Sequence, residues 1–293
     1  MNKRKSPSLS ASSQFGLTLI ELMVSMAVGM LIVLLVSQVF FGARRSIANT
    51  SDLALAQEGG RFGIDTMLRH VRLAGYQQEN GRAAFSSTLA NCGAGSDAAQ
   101  AICGVNDTGS PLTDEIRVRF YGAAAPAGGA DGATLDCQGA ALGAGDIVEE
   151  RWSVVTVQMN PSDTTTARPT LVCDLYKQGG GAIPAARTAR VPIVYNVDRL
   201  QILYGEDTDA DGAPDMWRPA NLANMSRVVA VQVAVVMLGE NRNAGGTGAA
   251  AEVFRMFGAS YPATSDAGAI YSAPADNRFR KLYNATVSLR NRG

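Results

Sequence analysis

The sequence predicts an α+β fold: one long N-terminal helix, membrane-spanning in its first half, packed on a mostly antiparallel β-sheet with loop-rich insertions. Three observations lead there. An apolar run covers Leu17 to Gly42 with Glu21 as its only charge. Ile64, Met67, Leu68 and Val71 then repeat at i, i+3, i+4 and i+7, the stripe of a helix with one buried face. Short β-rich segments recur from there to the C-terminus. No helical pattern alternates with them, so parallel βαβ units are not expected.

The leader, residues 1–16, reads MNKRKSPSLSASSQFG, with Lys3, Arg4 and Lys5 and no acid. A secretory signal carries its apolar region before the cleavage point, and here the order is reversed. A cut after Gly16 would therefore leave the apolar helix on the mature chain. At about 1.5 Å per residue, Leu17–Gly42 reaches roughly 39 Å, enough for a hydrocarbon core of about 30 Å. The basic leader favours a cytoplasmic N-terminus. Arg44 and Arg45, beyond the run, oppose that bias.

Glu21 is the unusual residue. A carboxylate in lipid costs about 2.5–3.5 kcal/mol at mid-bilayer and less near one end of the span. A cut after Gly16 would create an amine at Leu17, four residues before Glu21 and on the same helix face. That amine, or the same group on a neighbouring chain, would neutralise the acid. The plain alternative is a snorkelling acid at the end of an ordinary anchor.

Beyond the membrane run the helix is expected to reach about residue 75, with Gly59-Gly60 as a place where it loosens or kinks. His70, the sole histidine, reads as a solvated helix residue. Residues 78–113 and 122–145 are rich in Gly, Ala, Ser and Asn and read as loops. Ile116, Val118 and Phe120 alternate with Arg117 and Arg119, a half-buried strand. Further strands are expected at 147–157, 170–177, 199–204, 227–238 and 281–290. The run Val228–Leu238 is apolar almost throughout and suits a central strand.

The four cysteines, Cys92, Cys103, Cys137 and Cys173, all follow the apolar run. They include no CxxC, and one histidine makes a poor zinc set. An even number beyond a membrane segment points to disulfides in an oxidising compartment. Three pairings are open; the nearest-neighbour one joins Cys92 to Cys103 and Cys137 to Cys173.

Residues 207–215 read DTDADGAPD. Asp207, Asp209 and Asp211 at positions 1, 3 and 5, followed by Gly212, open like a calcium loop. Asp215 and the Ala213 carbonyl would complete an oxygen set, giving a structural Ca2+ as the expected cofactor. Arg218 stands where an EF-hand has its Glu, so the pattern is closer to the shorter DxDxDG loops. The competing reading is a polar β-turn.

Composition excludes several function classes. The formal net charge is zero, and the chain without its leader is mildly acidic, so no nucleic-acid footprint exists. There is no GxSxG, P-loop or GxGxxG in context, and a Ser-His-Asp triad is improbable with one histidine. Trp152 and Trp217 read as packing residues. No enzymatic activity is expected.

The N-terminal combination of a short basic leader, Gly16, an apolar residue, Thr18-Leu19-Ile20-Glu21 and an apolar helix resembles the class III signal of type IV pilins and pseudopilins. The whole length is similar to the PilW type of minor pilin. That similarity adds the helix end near Leu73-Ala74-Gly75-Tyr76, the four-cysteine body, Leu203-Tyr204-Gly205 before the Asp-rich turn, and the final Leu289-Arg290-Asn291-Arg292. The resemblance implies cleavage after Gly16 by a prepilin peptidase, methylation of Leu17 and an assembly role for Glu21. The family usually has Phe where Leu17 stands. The implied organisation is a cleaved leader (1–16), a transmembrane and assembly helix (17–42), a periplasmic continuation of the helix (43–76) and a β-rich periplasmic domain (77–293). Implied partners are other minor pilins, the major pilin, the prepilin peptidase and the pilus assembly platform. The implied location is the bacterial inner membrane, single-pass, and the pilus after assembly. Two other readings remain: a type II secretion pseudopilin, and a membrane-anchored periplasmic binding protein.

Overall fold

A computed structural model describes residues 16, 18–77, 101–108, 112–160, 162–179, 186–241, 252–262, 264 and 266–291. Helix α1 spans Leu19–Leu73. The chain forms two compact units, divided between Ile47 and Ala48.

In the first unit the helix is exposed on all sides, from Leu19 through Phe41. Ser25 and Ser37, within this exposed stretch, are bonded back to the helix backbone, Ser25 Oγ to the Leu22 carbonyl at 2.8 Å and Ser37 Oγ to the Val33 carbonyl at 2.7 Å. Neither hydroxyl therefore burdens an apolar surface with an unmet donor.

In the second unit the rest of α1 docks on β-structure. Strands β1 (Ile102–Thr108), β2 (Thr113–Tyr121), β3 (Asp146–Asn160), β4 (Asp163–Gly179) and β5 (Ala189–Tyr195) form an antiparallel meander in chain order. Strands β6 (Val197–Glu206), β7 (Met216–Arg218), β8 (Val228–Leu238) and β11 (Arg280–Ser288) form a second sheet in the order β11-β8-β6-β7. Strands β9 (Val253–Arg255) and β10 (Ile270–Ser272) pair as a small ribbon. The α+β class and the antiparallel pairing agree with the sequence reading.

One core joins Ile64, Met67, Leu68 and Val71 of α1 to Ile116, Val118 and Phe120 of β2, Trp152 of β3, and Val231, Val233 and Val235 of β8. The helical stripe and the β2 alternation thus face each other. Strand β8 is apolar on both faces because both are covered: its Ala234 and Val236 pack with Phe254, Met256, Tyr271 and Ala273 around the ribbon.

The helix continues through Gly59-Gly60 to Leu73. These glycines serve close approach: a Cβ on Gly60 would lie 2.7 Å from the Tyr283 ring of β11. Gly75 ends the helix in a left-handed conformation (φ 76°), with the Tyr76 amide donating to the Leu73 carbonyl at 2.8 Å. The buried Asp52 ties α1 to the turn after β8, accepting from the Asn241 amide (3.1 Å) and side chain (2.8 Å).

Three expectations change. His70 is buried, not solvated: its Nδ1 lies 2.9 Å from Oε2 of the fully buried Glu150, beside Trp152. The span 78–113 is not all loop, since it contains β1, and β5 was not expected. Strands β3 and β4 are longer than predicted and pair out to Asn160 and Asp163. Cys137 is bonded to Cys173, joining the loop before β3 to β4. Cys103 is also disulfide-bonded; its expected partner Cys92 lies outside the described residues.

Candidate functional site

The N-terminal segment begins with Gly16, which is exposed. Leu17 lies outside the described residues. Thr18 precedes the first helical residue and Glu21 falls three positions later, the spacing of a capping box. The Thr18 hydroxyl accepts from the Glu21 amide at 3.3 Å. Glu21 Oε2 in return accepts from the Thr18 amide and the Thr18 hydroxyl, each at 2.9 Å. The carboxylate therefore satisfies backbone donors that the helix start leaves open. The sequence reading gave Glu21 an amine partner and missed this one, although Thr-x-x-Glu before an apolar run is its signature.

Glu21, Ser25 and Gly29 follow at intervals of four, on one helix face. With Ile20, Val24, Val28 and Ile32 they line a shallow groove along the helix. Gly29 has open space where a side chain would stand. A second helix can approach closest along such a line of small residues.

The Asp-rich turn joins β6 to β7. Carboxylate oxygens of Asp207, Asp209 and Asp211 lie within 4.8 Å of one another. Asp207 is buried, and its two oxygens accept from the Ala210 (2.7 Å) and Gly212 (2.9 Å) amides. Asp209 accepts from the Asp211 amide at 3.2 Å, and Asp211 from the Ala213 amide at 2.7 Å. Ala210 (φ 66°) and Gly212 (φ 93°) provide the tight bends. The donor set is all oxygen, which suits a hard cation. Asp215 is not in the cluster. Its Oδ2 accepts from the Thr208 amide and hydroxyl, both at 2.6 Å, and these bonds hold its carboxyl below the usual range. The acidic cluster can coordinate a metal ion.

Cys137, Glu150 and Cys173 also converge. The disulfide removes both sulfurs as ligands. Glu150 instead accepts from the Cys137 amide at 2.7 Å and from Trp152 Nε1 at 3.3 Å, a structural arrangement.

Two family models match the chain. "Type IV Pilus-assembly protein W" covers residues 156–291, and the "prokaryotic N-terminal methylation motif" covers residues 11–37. No curated protein matches. Among solved structures, a type IV-like pilin from Thermus thermophilus aligns at 17% identity and a TM-score of 0.45, over 83% of this chain and 95% of its own. The apolar helix and large soluble body fit a single-pass inner-membrane protein with a periplasmic domain. A methylation motif at the head of such a helix, followed by a match to the pilus-assembly family over residues 156–291, places the chain in the type IV pilin and pseudopilin superfamily.

Proposed function

We propose that this chain is a minor pilin of the PilW kind, processed and assembled through its N-terminal helix. The prepilin peptidase cuts after Gly16 and Leu17 becomes the methylated N-terminus. The observation that carries the reading is the placement of Glu21 on the groove of an exposed apolar helix, immediately after the cleavage sequence. After the cut Thr18 is the second residue and keeps its amide, so the capping box survives. The new amine is then on Leu17, next in sequence to Thr18, whose amide donates to Glu21, and it or a neighbour's amine would pair with that carboxylate. Assembly follows when another pilin helix enters the Ser25–Gly29 groove and brings its amine to Glu21. Its partners are other minor pilins, the major pilin, the peptidase and the assembly platform. The β-domain (77–293) is displayed in the periplasm and carries no enzymatic role.

Mass spectrometry of the mature N-terminus tests this directly. The expected species begins at a methylated Leu17; an intact Met1, or a cut elsewhere, removes the reading. Glu21→Val chains should be cut normally yet be at least ten-fold depleted from sheared pili. Incorporation at wild-type level would count against the role given to Glu21. The same helix would serve a pseudopilin of a type II secretion system, and co-purification of secretion-system rather than pilus subunits identifies that case.

The Asp207, Asp209 and Asp211 cluster is proposed to hold a structural Ca2+. Its contribution is to neutralise three converging carboxylates and fix the β6–β7 turn.

A further inference from the structure

Strands β3 and β4 outrun their sheet. Their mutual pairing continues from Asp146↔Gly179 to Asn160↔Asp163. Strand β2 leaves β3 at Ile116↔Trp152, and β5 leaves β4 at Thr170↔Tyr195. Among the described residues, the outer part, Val154–Asn160 with Asp163–Pro169, is thus a two-stranded arm with no neighbouring strand. Seven residues of strand extend about 23 Å at roughly 3.3 Å each.

The departure of β2 has a physical cause. Its first residues are held on the other sheet. The Asp114 carboxylate accepts from the Asp107 amide at 2.8 Å and from the Ile202 amide of β6 at 2.7 Å. Thr113 Oγ1 donates to the Leu200 carbonyl at 3.1 Å. Strand β2 therefore does not follow β3 past Trp152, and among the described residues the β3 edge has no partner strand there.

The two edges of the arm differ chemically. The β4 side carries Pro169, which has no N–H to offer, and the charged Arg168 and Asp163. These are residues that discourage edge pairing. The β3 side reads Ser153-Val154-Val155-Thr156-Val157-Gln158-Met159-Asn160, with no charge and no proline. It is β-branched in four of its middle positions, the composition that pairs most readily. Thr156, Gln158 and Met159 are exposed. A two-stranded ribbon is marginal by itself, and a row of open N–H and C=O groups is completed only by another extended strand.

We propose that this β3 edge pairs antiparallel with the same edge of a second copy of the chain. The segment is self-complementary. A twofold axis at Thr156 sets Thr156 opposite Thr156, where the hydroxyls can pair, Val155 opposite Val157 and Val154 opposite Gln158, with no like charges opposed. Two arms then make one four-stranded sheet, and each supplies the neighbours the other lacks. The inference rests on the sheet edge and not on the pilin assignment.

The test is photo-crosslinking of the full chain in its membrane, with p-benzoylphenylalanine at Gln158. The expected adduct has twice the mass of one chain. Thr156→Lys should reduce it at least ten-fold, because two ammonium groups would then oppose each other. Thr156→Val should leave it intact. Co-expression of Thr156→Lys and Thr156→Glu chains should restore the adduct between them. Formation of the Cys137–Cys173 bond in each variant reports a folded domain. Absence of a double-mass adduct in the otherwise unaltered chain, an adduct with a different protein, or an adduct indifferent to Thr156→Lys overturns the proposal.

Discussion

At the scale of single residues, the contact between helix and sheet depends on what is missing. Gly60 has no side chain, and the Tyr283 ring and Met237 occupy that space. Gly60→Leu should cost about 1–3 kcal/mol through overpacking and lower the melting temperature by roughly 2–10 °C. Gly29→Leu, on the open part of the same helix, should leave the melting temperature of the β-domain unchanged. Calorimetry on both variants checks the contrast. From the sequence, Gly59-Gly60 within a helical pattern reads as a weak point, because nothing local names Tyr283, more than 220 positions away. His70 fails for the same reason. It stands three positions after Met67, so its spacing allowed a buried face, but nothing local names Glu150, whose carboxylate lies 2.9 Å from its Nδ1.

At the scale of elements, legibility followed periodicity. The stripe of α1, the alternation of β2 and the apolar run of β8 were all readable because burial repeats with the backbone period. Strand β1, Ile102–Thr108, was hidden because its own residues, Cys-Gly-Val-Asn-Asp, are those of a turn. Strand β5 carries Pro192, which pairs at an irregularity in the register with β4. The Asp-rich turn was legible in position and only partly in geometry: three of its carboxylates converge, while Thr208 takes Asp215. Calcium should raise the melting temperature of the wild-type chain, and terbium luminescence should report a bound ion. Asp209→Asn with Asp211→Asn should weaken the ion at least ten-fold without disturbing β8. No affinity below millimolar calcium in the wild type would remove the ion from the account.

At the scale of the molecule, the two sheets and the ribbon meet at a group of carboxylates. Asp114 bridges β1 and β6, and Asp107 accepts from the Gly268 amide at 3.2 Å. Asp266 accepts from the Tyr261 hydroxyl at 3.0 Å. Burial raises the Asp114 carboxyl well above the usual range, and burial together with the Asp107 charge raises Asp266. An acid raised in the folded state contributes stability below its unfolded pKa of about 3.9, and that contribution is lost as pH rises through the folded value. The junction should therefore weaken as pH rises above about 4. Asp266→Asn removes one of these charges while keeping an acceptor for Tyr261. Its denaturation midpoint should gain on the wild type as pH rises; a difference that is flat or falls with pH would contradict the assignment.

The order of strands has a consequence in time. The first sheet pairs each strand with the next, so it can close as the chain emerges. The second sheet is completed on its β8 side only by β11, the last of the described strands. That late strand carries Tyr283, which seats against Gly60, and Asn291, whose side-chain amide reaches the Arg72 carbonyl at 3.4 Å. The sheet-packed part of α1 is thus clamped by a strand made more than 200 residues later. A nascent chain leaves Gly60 and the Arg72 carbonyl without these partners until β11 and Asn291 have been made, and loss of that segment would uncover the sheet-packed part of α1 as well as the β8 edge.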